Sequence, residues 1–187
     1  MSRVHIPGDV NEFPVNYVLR EYGGDIGAAA MALSHTVYEE TALSLREMEA
    51  ARVRTALING CLICKQARAA RDFDTHLPTS DAPFKRAMTS RGAAPDDAFY
   101  EQIGTWETAT LFTPRERLAI EYAERLGERP QSMEGDDAFW ASMHSHFTDR
   151  EIVDLSFSIA CWMGVGRVVH ALELDTVCIA APEALVA

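Results

Sequence analysis

Cysteine, positive charge and long apolar runs are all scarce in this sequence, and each scarcity removes a class of protein. Four cysteines in 187 residues are too few for the disulfide scaffold that small secreted domains use in place of a large core. Lysine and arginine total 17 against 28 for aspartate and glutamate, a net charge of −11, so a phosphate backbone is repelled except by a local basic stripe. The one such group, Arg52, Arg54, Lys65, Arg68 and Arg71, is interleaved with apolar residues at helical spacing. It reads as the solvated sides of two helices, and no nucleic-acid partner is expected. No run approaches the roughly 20 apolar residues of a membrane span. The first residues, MSRVHIPGDVNEF, hold no apolar core of signal-peptide length, so a cytoplasmic protein with no membrane partner is expected. Low-complexity tracts are missing too, and a composition 48% hydrophobic and 24% charged is that of an ordinary globular chain. The length suits one domain over residues 1–187, with 1–40 as an N-terminal extension.

Strand patterning is also lacking, since no segment alternates cleanly between polar and apolar residues. Helical signals are abundant. The capping pattern of a hydroxyl residue followed three positions later by Glu occurs at Ser44 to Glu47, Thr113 to Glu116 and Thr148 to Glu151, and each instance marks a helix start. Pro114 at the first helical position strengthens the second. Behind it Leu118, Ala119, Tyr122, Ala123 and Leu126 recur at helical spacing up to Gly127; behind the third, Ile152, Val153, Ser156, Ile159, Ala160 and Met163 lead to Gly164. Further helices are expected from about Asp25 to Glu40, around 96–106 and 136–146, and after Gly166. The stretch from His76 to Pro95, rich in Pro, Ser, Asp and Gly, reads as a connection, although Phe84 to Met88 contain no breaker. The expected fold is an all-α bundle of about six to eight helices.

The chemistry concentrates in one segment. The helix opened by Ser44 is expected to run to about Ile58 and to stop at Asn59-Gly60, a pair suited to leaving helical geometry. Cys61 then starts a new helix reaching about Arg71, which places Cys61, Cys64 and Arg68 on one face. In a first turn the free backbone amides favour a thiolate at Cys61. Two sulfurs at this spacing also close a disulfide with little backbone movement. The pair therefore reads as a dithiol switch, against the plainer reading of two buried, unreactive thiols. A zinc site needs two further ligands, and the one other cluster, His144-x-His146, lies before a capping box in a surface turn; no metal is expected. Cys161 and Cys178 read as small core residues. Trp106, Trp140 and Trp162, with the methionines, read as core or interface filling. Glu49 is oddly placed, because it shares a face with Leu45, Val53 and Ala56. A desolvated carboxyl there becomes a usable proton acceptor or donor; the alternative is a Glu paired with Arg52 at the helix edge.

The run Glu49-Ala-Ala-Arg52-Val-Arg54-Thr-Ala-Leu-Ile-Asn59-Gly60-Cys61-Leu-Ile-Cys64 resembles the signature of the carboxymuconolactone decarboxylase / alkylhydroperoxidase D superfamily. The match includes the spacing from Glu to the CxxC, so it is far more specific than a lone CxxC. Downstream, Phe112-Thr-Pro-Arg-Glu-Arg-Leu-Ala and the segment from His146 to Leu155 resemble the second helical half of many members. The resemblance implies an alkylhydroperoxidase D-like helical domain that assembles as a homo-oligomer, a trimer or a hexamer. It also implies a peroxidase in which Cys64 attacks the hydroperoxide, Cys61 resolves the sulfenic acid into a disulfide, and Glu49 belongs to a proton relay. A small hydroperoxide or disulfide would be the substrate, a dithiol the electron donor, and no metal or organic cofactor is implied. The chain departs from the pattern at one position, where Arg68 stands in place of the histidine that peroxidase members carry after the second cysteine. A guanidinium favours a nearby thiolate but cannot shuttle protons, so weak turnover is expected. His35 and His76 are the candidates to supply the proton from elsewhere. A lactone decarboxylase is the first alternative, disfavoured because its signature does not centre on a CxxC. The second is a non-catalytic redox-sensing or assembly protein on the same scaffold.

Overall fold

A computed structural model of the chain describes residues 2–10, 12–70, 72 and 90–175, and every regular element among them is helical. Seven α-helices lie wholly among the described residues: α1 (Pro14–Glu39), α2 (Leu45–Asn59), α3 (Leu62–Gln66), α4 (Asp97–Gln102), α5 (Pro114–Glu128), α6 (Asp137–His146) and α7 (Asp149–Ala171), with short 3-10 turns at Ile103–Thr105 and Pro130–Met133. No strand occurs among the described residues. The all-α expectation holds.

Local sequence chemistry explains the helix starts. At Ser44, Thr113 and Thr148 the hydroxyl accepts from the backbone amide of Glu47, Glu116 and Glu151, and each Glu side chain accepts from the capping residue's amide in return. All three predicted boxes are therefore closed on both sides. The helix expected from Asp25 to Glu40 is the second arm of α1; a first arm from Pro14 precedes it, joined through the non-helical Gly24. Two predicted helix ends need correction. α5 runs one residue past Gly127, and α7 continues through Gly164 and Gly166 to Ala171 as one helix. Gly166 is there for closeness, not for a turn, since a Cβ at that position would lie 2.5 Å from Asn59 Nδ2.

α2 forms the centre, packed against α5 and α7, while α7 also lies against α1. Leu43, Leu45, Met48, Ala119, Met143, Leu155 and Ile159 fill the main core, and Val53, Phe99, Ile103 and Ile120 a second cluster behind α2. By length and composition α7 is apolar enough to cross a bilayer, although its longest unbroken apolar run, Ile159 to Gly166, is far shorter than a span; half of its membrane-length stretch is buried in the bundle, as expected of a core helix. The predicted connection from His76 to Pro95 falls outside the described residues up to 89. Beyond it, the Leu45 amide donates to the Arg91 carbonyl at 2.9 Å.

Burying most of α2 also buries several of its charges, Glu47, Glu49 and Arg52, which must then be paired. Arg115 of α5 donates to Glu47 and to Glu151, so it ties the capping boxes of α2 and α7 together. Burial alone would raise both carboxyls, but Arg115 and the capping amides outweigh it and hold them below the usual range. A carboxyl depressed in the folded state stabilises the fold above its unfolded pKa and loses that contribution as pH falls through the folded value. Arg115→Ala is accordingly expected to cost about 2 kcal/mol at pH 7 and much less at pH 3. Urea denaturation at the two pH values checks this, and an equal loss at both would assign the effect to packing.

Candidate dithiol site

α2 ends where its backbone enters the left-handed region at Gly60, with φ 72°, a conformation that any Cβ disfavours. The reversal delivers Cys61 to the cap of α3, and Cys61 and Cys64 are joined in a disulfide with Cα atoms 5.3 Å apart. The two sulfurs are not equivalent. Cys61 is 0% exposed, packed with Val18, Val169 and Leu174 beneath Val4 and Ile6. Cys64 is half-buried and lines a mostly apolar cavity of about 180 Å³ between α1, α2, α3 and α7, shared with Tyr38, Arg52, Ile63, Cys161 and Trp162. A small molecule entering that cavity meets Cys64.

The structure corrects the extent of the cysteine helix. α3 stops at Gln66, because Ala67 turns extended with ψ 140°, so Cys61, Cys64 and Arg68 do not share one helical face. Side chains capture the amides that would have continued the helix: Asp72 accepts from the Arg68 amide at 2.8 Å, and Glu49 accepts from the Ala69 amide at 3.2 Å. Arg68 Nη1 donates to the carbonyls of Lys65, Gln66 and Ala67 at 3.0, 3.2 and 3.3 Å. Its guanidinium lies 3.9 Å over the Tyr100 ring. Arg68 thus closes the carbonyl end of α3, a common use of a basic side chain.

Glu49 is 0% exposed, in agreement with the face inferred from its spacing. It is paired with Arg52 as the plainer reading held, but in the interior and not at an edge. Arg52 donates to both carboxylate oxygens, and the Tyr100 hydroxyl donates to Oε2 at 2.7 Å. The same guanidinium reaches the cysteine segment, donating to the carbonyls of Cys64 at 2.9 Å and Ala67 at 2.6 Å. Burial would lower the Arg52 pKa, yet the adjacent Glu49 outweighs it and raises it, so the guanidinium stays charged. Tyr100 is pushed up by burial and by Glu49, which keeps it a donor. Glu49 therefore addresses Cys64 through Arg52, a link that the sequence did not reveal.

Among the other predicted candidates, Cys161 faces the cavity as a buried thiol pushed up to about 11 by desolvation, so it stays protonated near neutral pH. Cys178 and His76 fall outside the described residues. His35 lies on α1 and does not line the cavity. His144 lies 3.4 Å from Asp149 on the surface, and no group of three potential metal ligands exists among the described residues. A histidine does reach the CxxC from an unpredicted direction. His170, at the end of α7, shares Asp175 Oδ2 with the Leu62 amide, each at 3.0 Å. No local signal marks it, because the pairing arises only where α7 returns past the end of α2.

No protein-family model matches the chain, and no curated protein matches it. Solved structures do. A protein of unknown function from Agrobacterium tumefaciens, proposed as an antioxidant defence protein AhpD, superposes with a TM-score of 0.63 at 20% identity, over 92% of this chain and 96% of that one. An uncharacterised peroxidase-related protein from Ralstonia eutropha JMP134 with an alkylhydroperoxidase AhpD core superposes with a TM-score of 0.61 at 19% identity, covering 92% and 90%. The chain therefore has an alkylhydroperoxidase D-like fold, as the resemblance of its sequence implied.

Proposed function

We propose that this chain is a thiol-disulfide redox enzyme of the alkylhydroperoxidase type, within the carboxymuconolactone decarboxylase / alkylhydroperoxidase D superfamily, that reduces a hydroperoxide or a small disulfide. The observation that carries the reading is the Cys61–Cys64 disulfide with Cys64 facing the cavity and Cys61 shielded behind it. In the peroxidase cycle the Cys64 thiolate attacks the terminal oxygen of ROOH. The S–O bond forms, the O–O bond breaks and ROH leaves with a proton. Cys61 then attacks the sulfenic sulfur, forming the disulfide and releasing water. A dithiol donor returns two electrons by exchange, one thiol attacking and the second releasing the mixed disulfide. No metal or organic cofactor is required by these steps. Treating the reduced protein with a stoichiometric alkyl hydroperoxide should consume two thiols, form this disulfide and yield ROH, with dithiothreitol reversing the change. If Cys64 passes to sulfinic acid with Cys61 still reduced, the dithiol cycle fails.

Glu49 serves proton transfer in this reading, with the Tyr100 hydroxyl as its hydrogen-bonded neighbour. The Arg52 pair favours a second role, in which Glu49 holds the arginine that fixes the Cys64 and Ala67 carbonyls. Glu49→Gln separates the two. A proton role lowers the rate of peroxide reduction on the order of a hundredfold while the fold keeps its stability. An anchoring role instead shows first as lost stability in urea, with the rate unchanged.

Turnover is proposed to be slow, because Arg68 occupies the expected histidine position and is engaged in closing α3. Assembly as a homo-oligomer, trimer or hexamer, belongs to the same proposal, supported by Val153, Phe157 and Val168, which lie exposed along one stripe of α7. A reducing cytoplasm suits a dithiol that must be regenerated.

A further inference from the structure

The two sulfurs of the CxxC sit in opposite electrostatic surroundings, and this bears on which one attacks. The Cys61 sulfur accepts from the Cys64 amide at 3.3 Å, a contact that by itself would make Cys61 the more acidic thiol. The next amide, that of Leu62, is not left for the sulfur. It donates to Asp175, which is 1% exposed and whose same oxygen accepts from His170 Nδ1. Asp175 Oδ1 is buried with no hydrogen-bond partner among the described residues. Leu174 packs directly in the cluster that encloses Cys61, under Val4 and Ile6. A buried carboxylate is thus held against the amide that follows Cys61, close enough in the chain for its charge to act on that cysteine, although His170 and Leu62 themselves are exposed. Burial would raise the Asp175 carboxyl, but the Leu62 amide and His170 outweigh it and hold it below the usual range.

Apart from His170, which faces Asp175 directly, the described cations on the elements meeting here belong to Arg3, Arg167 and Lys65. Arg3 is paired with Glu173, Arg167 of α7 donates to the Gly127 carbonyl at 2.9 Å, and Lys65 stands in the last turn of α3. The buried cation of the site, Arg52, lies on the Cys64 side, where it donates to that residue's carbonyl.

We propose that Asp175, kept ionised by His170 and the Leu62 amide, holds Cys61 as the protonated thiol in the reduced protein and so leaves Cys64 as the attacking sulfur. The inference deepens the redox reading above and rests on the same dithiol. Asp175 is a positioning residue, acting through charge on Cys61 and not on the substrate. His170 secures its ionisation in a place where the sequence offers no histidine beside the cysteines. The resolving step follows in the same scheme: once Cys64 is a sulfenic acid, the Cys61 proton leaves with the departing hydroxyl as water, and the sulfur–sulfur bond forms.

The test is a pH titration of the fully reduced chain carrying 13Cβ-labelled cysteine, in which NMR follows each thiol without a reagent having to reach the buried sulfur, the resonances being assigned with Cys61→Ser and Cys64→Ser. In the natural protein Cys61 should ionise at least one pH unit above Cys64. Asp175→Asn keeps an acceptor for the Leu62 amide and removes the charge. It should bring the Cys61 midpoint down by about one unit, a tenfold change in its acidity, and move that of Cys64 much less. Equal midpoints in the natural chain, or Cys61 ionising first, overturn the proposal without any variant having to fold. So does a Cys61 midpoint that Asp175→Asn leaves unchanged. The titration needs no peroxide, so a chain that fails to turn over hydroperoxide would still give the expected midpoints if only the peroxidase reading were wrong.

Discussion

Cys64→Ser is expected to reduce peroxide consumption to the uncatalysed background, whereas Cys61→Ser should keep a single reaction per chain and lose turnover. The asymmetry follows from where the sulfurs lie. Cys64 borders the cavity and Cys61 is enclosed by Val18, Val169 and Leu174, so in the proposed cycle the first meets the substrate and the second, already its disulfide partner, resolves it. Without Cys64 the proposed attack on the O–O bond loses its sulfur, and among the described residues Cys161 does not replace it, since burial keeps that thiol protonated near neutral pH. Without Cys61 the proposed sulfenic acid on Cys64 loses its disulfide partner and should be captured by dimedone in an amount approaching one per chain. Peroxide assays on the two variants, with mapping of the dimedone adduct, measure both outcomes. Dimedone on Cys61 of the natural protein would reverse the assignment.

The second large effect concerns Arg52, whose replacement by Met is expected to lower stability by about 3–5 kcal/mol. The loss comes less from the missing attraction than from what remains. Glu49, 0% exposed, would be left as a buried carboxylate with the Tyr100 hydroxyl and the Ala69 amide as its donors. The carbonyls of Cys64 and Ala67 would also lose a charged donor. Converting both partners, Glu49→Gln with Arg52→Met, removes the stranded charge and should recover much of the stability. Urea denaturation of the single and double variants measures the coupling. A single variant within about 1 kcal/mol of the natural chain would mean that the pair is solvated after all.

A good part of this site was legible from residue spacing. Glu49 recurs with Leu45, Val53 and Ala56 on one face, and a helix that buries that face takes the carboxylate inside with it. The neighbouring Arg52 was visible as its partner. Its second task, holding the carbonyls of α3, was not, because those carbonyls belong to a turn that the chain reaches only after reversing at Gly60. Arg68 shows the same limit: the spacing predicts a helix through it, whereas Glu49 and Asp72 take the amides that a longer α3 would have used.

What the sequence by itself determined are the features governed by contacts within about one helical turn. These are the three capping boxes, the amphipathic faces behind them, the all-helical class, and a CxxC placed just past a left-handed glycine. Each depends on a few adjacent side chains and their own backbone, so it is written where it acts. The tertiary structure alone decided the unequal burial of the two sulfurs, the early end of α3, the passage of α7 through Gly164 and Gly166, and the arrival of Asp175, with His170, at the Leu62 amide. The physical reason is that hydrogen-bond donors, charges and excluded water act across space. The partners are fixed only when α2, α3 and the end of α7 are packed together, and no spacing along the chain records that distance.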